Sequence, residues 1–402
     1  MVHGGAALTR ARDGRVALVR GGLPGERVVA EVEPVKGVLQ GVVTEVLEAS
    51  TDRVEAPDHP GLDYGFIAYE RQLELKREVV GDALRRAGAG DREVPPVRPS
   101  PETWGYRSAV QPAVARRGLG YRQSGSHRVV ALDHDPVATD AVNAAWHVLA
   151  EQLHDLRGVR EVALRGNDDG EAVVALITTV RERELVPLAH ELVRQGIRGV
   201  AHAPFDPRGR FRRGSGRLAG ARSLLQRFGD VDLTVGATSF AQPNAHAAGE
   251  LYRELVRWLP TGRHAWELFA GGGAVAFHLT QRFEAVTAVE IDRSAVARGE
   301  RDAARLGLDG VRFLRADARR APLPGDADLV AVDPPRAGVS AELRRAIAES
   351  PAPRLLYVSC DAATWARDAA SLEAGGLRLV RFEPFDFYPH THHVELLSLF
   401  ER

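Results

Sequence analysis

Cysteine is almost absent from this chain, since Cys360 is the only one among 402 residues. One cysteine cannot form an internal disulfide, so no bridge indicates an oxidising compartment. Long apolar runs are also missing, because no stretch approaches the ~18 consecutive apolar residues of a membrane-spanning helix. The first residues, MVHGGAALTRARDG, lack the apolar middle of a secretory signal. We therefore expect a cytoplasmic protein that makes no use of a membrane.

Lysine is scarce as well. It occurs only at Lys36 and Lys76, so arginine supplies nearly all the positive charge. The formal net charge of −1 excludes a polycation, and any binding of nucleic acid must therefore come from a local patch. The most basic segment spans residues 207–227 and contains Arg208, Arg210, Arg212, Arg213 and Arg217. A glycine-rich arginine segment can follow a phosphate backbone, and a solvated hairpin tip is the alternative.

Short strands dominate the beginning of the chain. Apolar and charged residues mostly alternate at 27–33, residues 38–48 form another β-rich run, and a turn is indicated at 21–26. Several short strands within residues 1–50 predict a small β-barrel, which often binds nucleic acid and can equally serve packing alone. Residues 51–234 mix strand-like and helix-like pieces and predict an α+β domain.

The last region, residues 235–402, alternates strands and helices regularly. One of the helices is predicted at 293–307, with Asp292 or Ser294 as its N-cap. Repeated βα units predict a parallel sheet with helices on both faces. The last strand follows its predecessor after a short connector, so we expect that strand to run antiparallel.

A glycine loop follows the first strand of this region, in WELFAGGGAVAF (266–277). Gly271 and Gly273 let a ligand approach the backbone because no Cβ stands in the way. Glu290 ends the second strand, where an acid can accept hydrogen bonds from ribose hydroxyls. Asp317 ends the third strand, where it can meet an adenine edge. Since ligands of such sheets bind at the carboxyl ends of the strands, the pattern predicts a nucleotide pocket there.

The loop alone leaves the kind of nucleotide open. Gly271-x-Gly273-x-x-Ala276 fits a loose dinucleotide pattern, and a glycine turn without a ligand is a further alternative. Glu267, inside E-L-F-A-G-G-G, makes the arrangement more similar to that of S-adenosylmethionine methyltransferases.

The segment DPPR (333–336) closes the fourth strand. Its two prolines fix the backbone and project Asp333 into the cleft. Methyltransferases that act on exocyclic amino groups resemble this segment but carry an aromatic residue where Arg336 stands. The arginine therefore argues against methylation of an amino group.

The lone cysteine belongs to the same edge of the sheet. The strand at 354–359 delivers Cys360 to its carboxyl end, whereas a structural cysteine is more often an apolar filler in the middle of a strand. Carbon 5 of a pyrimidine is a poor nucleophile, and a thiolate that adds to carbon 6 makes the ring an enolate able to attack an electrophilic methyl group. An ordinary thiol has a pKa of about 8.5, so the site must help it to ionise. Cys360 is therefore our candidate nucleophile.

A base must then remove the proton from carbon 5 so that the thiol can leave. The segment DFYPHTHHVELL (386–397) offers Glu395 at the edge of the sheet. His390, His392 and His393 in the same segment raise the alternative of a zinc site. Because no cysteine or carboxylate spacing supports it, we predict no metal.

The motifs FAQPN, ELFAGGG, AVE, DPPRAG, YVSCDAATWARD and FYPHTHHVE occur in this order over residues 236–402. They resemble the RNA 5-methyluridine methyltransferase family, the uracil-C5 enzymes of tRNA and 23S ribosomal RNA. STDRVEAP, YERQLELK and GGLPGE extend the resemblance to the N-terminal half, and GGLPGE lies in a segment similar to the TRAM barrel, an RNA-binding module of that family.

The resemblance implies an α/β fold with three parts. A class I, seven-stranded, Rossmann-like S-adenosylmethionine methyltransferase domain is expected at 235–402. A TRAM-like (OB-like) β-barrel is expected at 1–50, and a central α+β domain with a helical linker at 51–234.

Roles for individual residues also follow from the resemblance. It implies that Cys360 is the nucleophile and that Glu395 removes the proton from carbon 5. We expect the cofactor, S-adenosylmethionine, to be bound by Gln242, Phe269, Gly271, Gly273, Glu290, Asp317 and Asp333. We expect the RNA substrate to be bound by Gln242, Asp333, Arg212 and Arg213.

The chain departs from the family at several positions. Ala270 and Ala274 stand where the family usually has cysteine and asparagine, and Asp361 follows the nucleophile where the family has asparagine. Many members also bind a [4Fe–4S] cluster through four cysteines, but the corresponding segments, 56–66 and 132–136, contain none. Since the cluster needs four thiolates, we predict that no iron–sulfur cluster is bound.

The expected function is transfer of a methyl group from S-adenosylmethionine to carbon 5 of a specific uridine in structured RNA, either tRNA or 23S rRNA. The target base is expected to be flipped out of its stack, and the protein to act as a monomer. An RNA cytosine-C5 methyltransferase is one alternative, although it needs an acid to protonate ring nitrogen 3, which HVE does not match. A non-catalytic RNA-binding protein that kept the fold is the other, because Ala274 and Asp361 depart from the family.

Overall fold

The computed structural model describes residues 1–402 apart from residues 116, 117, 124, 127, 154–157, 210 and 322. The described residues form three sheets of four or more strands and one two-stranded hairpin. No helix in this described part of the chain is long and apolar enough to cross a membrane.

The first sheet contains the strands β1 (Ala7–Arg10), β2 (Val16–Arg20), β3 (Arg27–Val35) and β4 (Val38–Glu48). Their order is β1-β2-β4-β3, and β2 runs parallel to β4. Lys36 and Gly37 form the β3–β4 turn with φ angles of 48° and 87°, as a two-residue hairpin turn of the twisted type requires. The predicted strands and the turn at 21–26 are thus confirmed, whereas the division into domains and the RNA-binding role stay predictions.

One long helix, α1 (Tyr69–Arg86), leads away from this sheet. Leu75, Val80 and Leu84 recur at helical spacing and are buried. The sequence YERQLELK (69–76), one of the segments that extend the family resemblance, forms the first half of this helix. Its buried polar residues, Gln72 and Lys76, point to a role beyond packing.

The middle sheet contains β5 (Ala109–Val110), β6 (Ala113–Ala115), β7 (Gly118–Arg122), β8 (Val129–Ala131), β9 (Val159–Gly166), β10 (Ala172–Thr178), β11 (Gly199–Pro204) and β12 (Gly216–Gly220). Their order is β12-β11-β10-β9-β6-β7-β8, and β5 pairs with β9. The helices α2 (Asp140–Leu153) and α3 (Glu182–Arg194) belong to this region. Trp146 and Leu149 of α2 join Leu164 and Leu176 of the sheet in one apolar core.

A short hairpin leads into the last sheet. It consists of β13 (Leu224–Phe228) and β14 (Val231–Val235). The helix α4 (Ala245–Trp258) follows, and the side chain of Asn244 caps it by accepting a hydrogen bond from the backbone N–H of Ala247.

The third sheet contains β15 (Gly262–Leu268), β16 (Phe283–Glu290), β17 (Val311–Arg315), β18 (Leu329–Val332), β19 (Arg354–Ser359), β20 (Arg378–Phe385) and β21 (Glu395–Glu401). Its helices are α5 (Ala274–Leu279), α6 (Arg293–Leu306), α7 (Ala341–Glu349) and α8 (Ala362–Ala374). The order is β17-β16-β15-β18-β19-β21-β20, and β21 runs antiparallel to both of its neighbours. This confirms the α/β class I fold and the antiparallel last strand, and Asp292 is the N-cap of α6.

The switch in strand order lies between β15 and β18, whose carboxyl ends carry the glycine loop and the DPPR segment. The next neighbour, β19, ends immediately before Cys360. Parallel neighbours end at one edge of a sheet, so segments far apart in the sequence meet there.

The connection between β20 and β21, residues 386–394 (the β20–β21 loop), is held by α1. The Lys76 ammonium donates to Asp386 Oδ1 at 2.6 Å and to the carbonyl oxygen of Tyr388 at 3.1 Å. Both charged side chains are 0% exposed. The pKa of Lys76 is lowered because burial disfavours its charge, although Asp386 opposes that effect.

We expect Lys76→Met to destabilise the protein by about 3–5 kcal/mol, because the Asp386 carboxylate is left buried without its counter-charge. The thermal unfolding midpoint should fall by roughly 10 °C. The double variant Lys76→Met/Asp386→Asn should recover part of this loss.

Arg86→Met is the matched control, because Arg86 lies on the same helix with a side chain 67% exposed. Its midpoint should change by the small amount typical of a surface ion pair. Equal midpoints for the Lys76 and Arg86 variants would contradict the role given to the buried pair.

Candidate active site

A cavity of about 1080 Å³ lies at the carboxyl edge of the third sheet. One wall comes from the loops that follow β15, β16, β18 and β19, and the facing wall comes from β5, β9 and residues 233–243. Of the residues predicted from the sequence, the cavity is lined by Gln242, Phe269, Gly271, Glu290, Asp333, Cys360, Glu395 and Arg212.

The glycine loop after β15 is tightly turned. Phe269 adopts a left-handed φ of 64°, which a large residue rarely accepts, and Gly271 follows with φ 56°. Gly271 faces open space, since a Cβ built there would meet no atom within 4 Å. At Gly273, the residue that caps the N-terminus of α5, a Cβ would lie 2.6 Å from the Phe313 ring. Gly273 is therefore required by packing and is not among the described residues that line the cavity.

Glu290 stands at the end of β16, as the sequence predicts. Its Oε2 accepts from the N–H of Gly271 at 2.9 Å, and its Oε1 accepts from the N–H groups of Ile291 and Asp292, each at 2.8 Å. The three backbone donors lock the carboxylate at the rim of the cavity. Oε2, which accepts only one of these bonds, can still accept a further hydrogen bond.

Asp317 is placed differently from the other predicted residues. The strand β17 ends at Arg315, and the Asp317 carboxylate accepts two hydrogen bonds from the Arg319 guanidinium, at 3.0 and 2.8 Å. This pairing lowers the pKa of Asp317. Asp317 is not among the described residues of the cavity wall, and its contact with an adenine stays a prediction.

Asp333 follows β18 and lines the cavity beside Pro334 and Pro335. Burial raises the pKa of its carboxyl to about 7. The group can therefore gain or lose a proton near neutral pH.

Cys360 is half-buried and lines the same cavity. The next residue, Asp361, caps α8 by accepting from the Thr364 N–H at 2.9 Å, and His3 Nε2 lies 2.9 Å from its other oxygen. Burial, the Glu395 carboxyl and the Asp333 carboxyl raise the pKa of the Cys360 thiol to about 12. The thiol is therefore protonated in the protein alone.

Glu395 begins β21 and is 1% exposed. Neither of its carboxyl oxygens has a hydrogen-bond partner among the described residues. Burial first, and then Asp333, raise the pKa of Glu395 far above its usual value, while Arg336 opposes this. The Glu395 carboxyl therefore favours its protonated form in the protein alone, and once ionised it is a strong base with no hydrogen-bond donor among the described residues.

The three histidines of the β20–β21 loop contact the protein separately. His390 stacks on Trp104 at 3.7 Å between ring centroids, His392 contacts Asp63, and His393 Nε2 lies 3.2 Å from the Arg336 guanidinium. No group of three metal-ligating side chains was found among the described residues.

The basic segment 207–227 divides in the structure. Arg212 lines the cavity, whereas Arg213 is exposed and is not among its described lining residues. Arg208 pairs with Asp206 at 3.0 Å, and Arg210 lies outside the described residues.

Several lining residues were absent from our candidate set, namely Arg107, Arg165, Tyr252, Glu267, Arg298 and Tyr388. Glu267 and Arg165 carried a signal, because each is a charged residue that directly follows apolar residues of its strand, in AWEL and VALR. Glu267 is 1% exposed, its Oε2 has no described partner, and burial raises its pKa well above the usual value. Positions such as Tyr252 are apolar or aromatic helix residues whose exposure to a cavity the sequence pattern does not reveal.

The cavity fits S-adenosylmethionine chemically. Glu267, Asp333 and Glu395 place acid groups on one wall, which suits a ligand with a positively charged sulfur and an ammonium group. Glu290 offers acceptors for ribose hydroxyls at the rim, and Gly271 leaves the backbone accessible.

Comparisons with known proteins agree with this geometry. The model of the tRNA (uracil-5-)-methyltransferase family matches residues 326–402. An uncharacterized RNA methyltransferase of Halalkalibacterium halodurans is 31% identical over 100% of this chain and 95% of its own length. A 23S rRNA (uracil(1939)-C(5))-methyltransferase of Shewanella amazonensis is 29% identical over 99% of this chain and 93% of its own length.

A solved structure is similar over nearly the whole chain. It is that of the Pyrococcus abyssi tRNA (uracil-54, C5)-methyltransferase in complex with S-adenosyl-L-homocysteine. The TM-score is 0.79 at 25% identity, covering 98% of this chain and 99% of the other.

We expect Glu267→Gln to stabilise the protein at pH 8.5 but not at pH 5. The native state prefers the protonated carboxyl, so the stability contributed by Glu267 is complete below the unfolded pKa and is lost as the pH rises through the raised folded pKa. Glutamine does not ionise, so the variant does not lose this stability as the pH rises. The unfolding midpoint of the variant should exceed that of the wild type by about 2–4 °C at pH 8.5.

Glu284→Gln serves as the control, because Glu284 is exposed on the neighbouring strand β16. Its midpoint should follow that of the wild type at both pH values. A Glu267→Gln variant whose advantage is the same at pH 5 would contradict a buried, titrating carboxyl.

Proposed function

Because this chain belongs to the RNA uracil-C5 methyltransferase family, we propose that Cys360 bonds transiently to carbon 6 of a uridine in tRNA or 23S rRNA during methylation of carbon 5. Its membership makes the chain an enzyme that uses S-adenosylmethionine to methylate uracil in RNA. The covalent route, the roles of individual residues and the RNA are the parts that we propose.

One observation carries the proposal: Cys360 and Glu395 line the same cavity and adjoin Ser359 and Leu396, the last pair of the ladder between β19 and β21. The antiparallel pairing of β19 with β21 sets Ser359 opposite Leu396, so the register continued by one residue sets Cys360 opposite Glu395. Opposite residues of such a pair have Cβ atoms about 5 Å apart. A thiol and a carboxylate at this separation can reach adjacent carbons of one pyrimidine ring.

The acid groups of the cavity control when the thiol ionises. Burial first, and then Glu395 and Asp333, raise the pKa of Cys360, so ionisation of the thiol is unfavourable until positive charge enters the cavity. When bound, S-adenosylmethionine supplies a methyl group on a positively charged sulfur. Asp333, with a pKa of about 7, can accept the thiol proton near neutral pH. The nucleophile is thus expected to form only in the loaded site.

The residues then act in a defined order. The Cys360 thiolate adds to carbon 6, and the electrons of the carbon 5–carbon 6 double bond move to the carbonyl oxygen at carbon 4. Carbon 5 bonds to the methyl group as the carbon–sulfur bond of the donor breaks, with the electron pair left on that sulfur. The Glu395 carboxylate takes the carbon 5 proton, the double bond re-forms, and the Cys360 thiolate is released.

The residues proposed for the donor and those proposed for the RNA overlap at Gln242 and Asp333. We propose that Gln242, Phe269, Gly271, Gly273, Glu290, Asp317 and Asp333 serve the donor, and that Gln242, Asp333, Arg212 and Arg213 serve the RNA. The target uridine is flipped out of its stack to reach Cys360. The first sheet, proposed as a separate RNA-binding domain over residues 1–50, holds the RNA by its backbone and shape.

The names of the relatives support uracil over cytosine as the target, because both the 23S rRNA enzyme and the tRNA enzyme act on uracil carbon 5. They also leave both RNAs as candidates. A monomer that works in the cytoplasm remains part of the proposal.

Incubation of the protein with S-adenosylmethionine and RNA that contains 5-fluorouridine should give a covalent adduct that survives denaturation. Fluorine at carbon 5 cannot be removed as a proton is, so the reaction stops before the thiol leaves. The adduct should appear as a band shift on a denaturing gel with tRNA or 23S rRNA transcripts.

Cys360→Ala should abolish the adduct, and Ser359→Ala, a change in the adjacent residue, should retain it. An adduct that persists in Cys360→Ala would remove this thiol from the mechanism. If the wild-type protein forms no adduct but still produces 5-methyluridine, the covalent route is rejected and the methylation of uracil is retained.

Glu395→Gln should accumulate the adduct on ordinary RNA, because the carbon 5 proton is no longer removed. The turnover of 5-methyluridine should fall by about 10²–10⁴-fold, the range that general base catalysis supplies. Glu401→Gln, at the other end of β21, should turn over like the wild type. An unchanged rate in Glu395→Gln would exclude this residue as the base.

A further inference from the structure

The two walls of the cavity differ in charge. The wall of the third sheet carries the acids Glu267, Asp333 and Glu395 together with Arg298 and Arg336, whereas the described lining of the middle region carries Arg107, Arg165 and Arg212 and no acid. The proposed function accounts for the acidic wall. Of the basic wall it uses only Arg212, and Arg165 has no role in it.

Arg165 is placed on the cavity side of the middle sheet by the alternation of β9. Leu164 faces the core with α2, while Ala163 and Arg165 face the opposite side. The Arg165 side chain is directed toward residues 236–242, and its Nη2 donates to the carbonyl oxygen of Ser239 at 3.1 Å.

The rest of the Arg165 guanidinium has no protein acceptor. The residue is 4% exposed, and neither Nε nor Nη1 has a hydrogen-bond partner among the described residues. Burial and the nearby Arg298 lower the pKa of Arg165 to about 10, still far above neutral pH, so the group remains charged. A buried cation with unused donors is unfavourable unless a ligand supplies the acceptors.

Arg298 lies close to the same point of the cavity. Its guanidinium stands beside the glycine loop, since a Cβ built at Gly272 would lie 3.8 Å from Arg298 Nε. The positive charge of Arg298 also contributes to the lowered pKa of Arg165, after burial. Two arginines that repel each other beside a cavity favour an anion between or against them.

We propose that Arg165, supported by Arg298, binds a phosphate group of the RNA that lies next to the target uridine. This inference rests on the proposed function, because it assumes that the uridine enters the cavity. Arg165 Nε and Nη1 would donate to phosphate oxygens, and the contact would draw the flipped nucleotide toward Cys360.

The donor carboxylate is the competing anion, and the charges favour the phosphate. S-adenosylmethionine carries a sulfonium, an ammonium and one carboxylate, so its net charge is positive and the acidic wall attracts it. RNA carries a negative charge at every nucleotide. The same wall also carries Arg107 and Arg212, which suit phosphate groups, and Phe211, on which a base of a single strand can stack.

Arg165→Gln tests the proposal through binding rather than catalysis. The affinity of donor-free protein for tRNA and 23S rRNA transcripts should be measured at several salt concentrations. The variant should bind about tenfold more weakly at low salt, and the slope of log K against log salt should decrease by about 0.7–1, as expected for one lost phosphate contact. Its affinity for S-adenosyl-L-homocysteine, measured by calorimetry, should stay within twofold.

Arg198→Gln is the matched control, because Arg198 belongs to the same region, is 60% exposed and pairs with Glu171. Its RNA affinity and salt slope should be those of the wild type. Weaker binding of S-adenosyl-L-homocysteine with an unchanged RNA salt slope would overturn the proposal in favour of the donor carboxylate. Equal behaviour of the Arg165 and Arg198 variants in both assays would leave Arg165 a structural residue and overturn it as well.

Arg165→Lys separates a folding defect from a binding defect. Lysine keeps the positive charge but loses the forked donors, so Arg165→Lys should keep the salt slope of the wild type and bind RNA more weakly, and it provides the test if Arg165→Gln unfolds. Because RNA binding is measured without the donor, its result is read separately from whether a uridine is methylated. The proposal fails if folded Arg165→Gln keeps the wild-type salt slope, or if Arg165→Lys binds RNA as tightly as the wild type does.

Discussion

The burial of several acid groups around a single cavity is the constraint on which the rest of the site depends. Glu267, Asp333, Glu395 and the Cys360 thiol all have raised pKa values, and burial is the largest cause for each. They cannot all ionise together in a poorly solvated space. A cationic methyl donor would favour ionisation of these groups. Without such a cation, the raised pKa keeps the Cys360 thiol protonated.

Holding such groups in place requires support from elements that are distant in the sequence. The β20–β21 loop lies before Glu395 and is held by the buried pair of Lys76 and Asp386. The N–H of His390 donates to Gln72 Oε1 at 2.8 Å, so a second residue of α1 holds the same loop. His3 reaches the cap of α8 directly after Cys360. The first 80 residues thus stabilise the catalytic edge as well as forming their own sheet.

The two walls of the cavity differ in the charged side chains that they contribute. The third sheet supplies acid groups and the glycine loop, and the middle sheet supplies arginines. A flipped uridine carries a neutral base and an anionic backbone, and a cavity with one acidic and one basic wall can orient both. Under the proposed function, this division gives the middle region a role in the site although that region contributes neither Cys360 nor Glu395.

Much of this arrangement was predictable from local pattern. The alternation of strands and helices over 235–402, the Asp292 cap and the turn at 21–26 are short-range features, and each is confirmed. Cys360 and Glu290 could be assigned to the carboxyl edge because each follows a strand of a βα unit. Asp317 shows the limit of that reasoning, since its strand ends two residues earlier and Arg319 binds the carboxylate.

The sequence by itself determined the type of fold, the place of the single cysteine directly after a strand and the absence of cysteines for a cluster, because these depend on residue identity and on spacing along one element. Only the tertiary structure decided that Glu395 lines the same cavity as Cys360, that Gly273 is required by packing, and that Arg165 lines the cavity with donors that have no described partner. Register between strands, burial and pKa all arise from neighbours that are distant in the chain, and no local pattern specifies those neighbours.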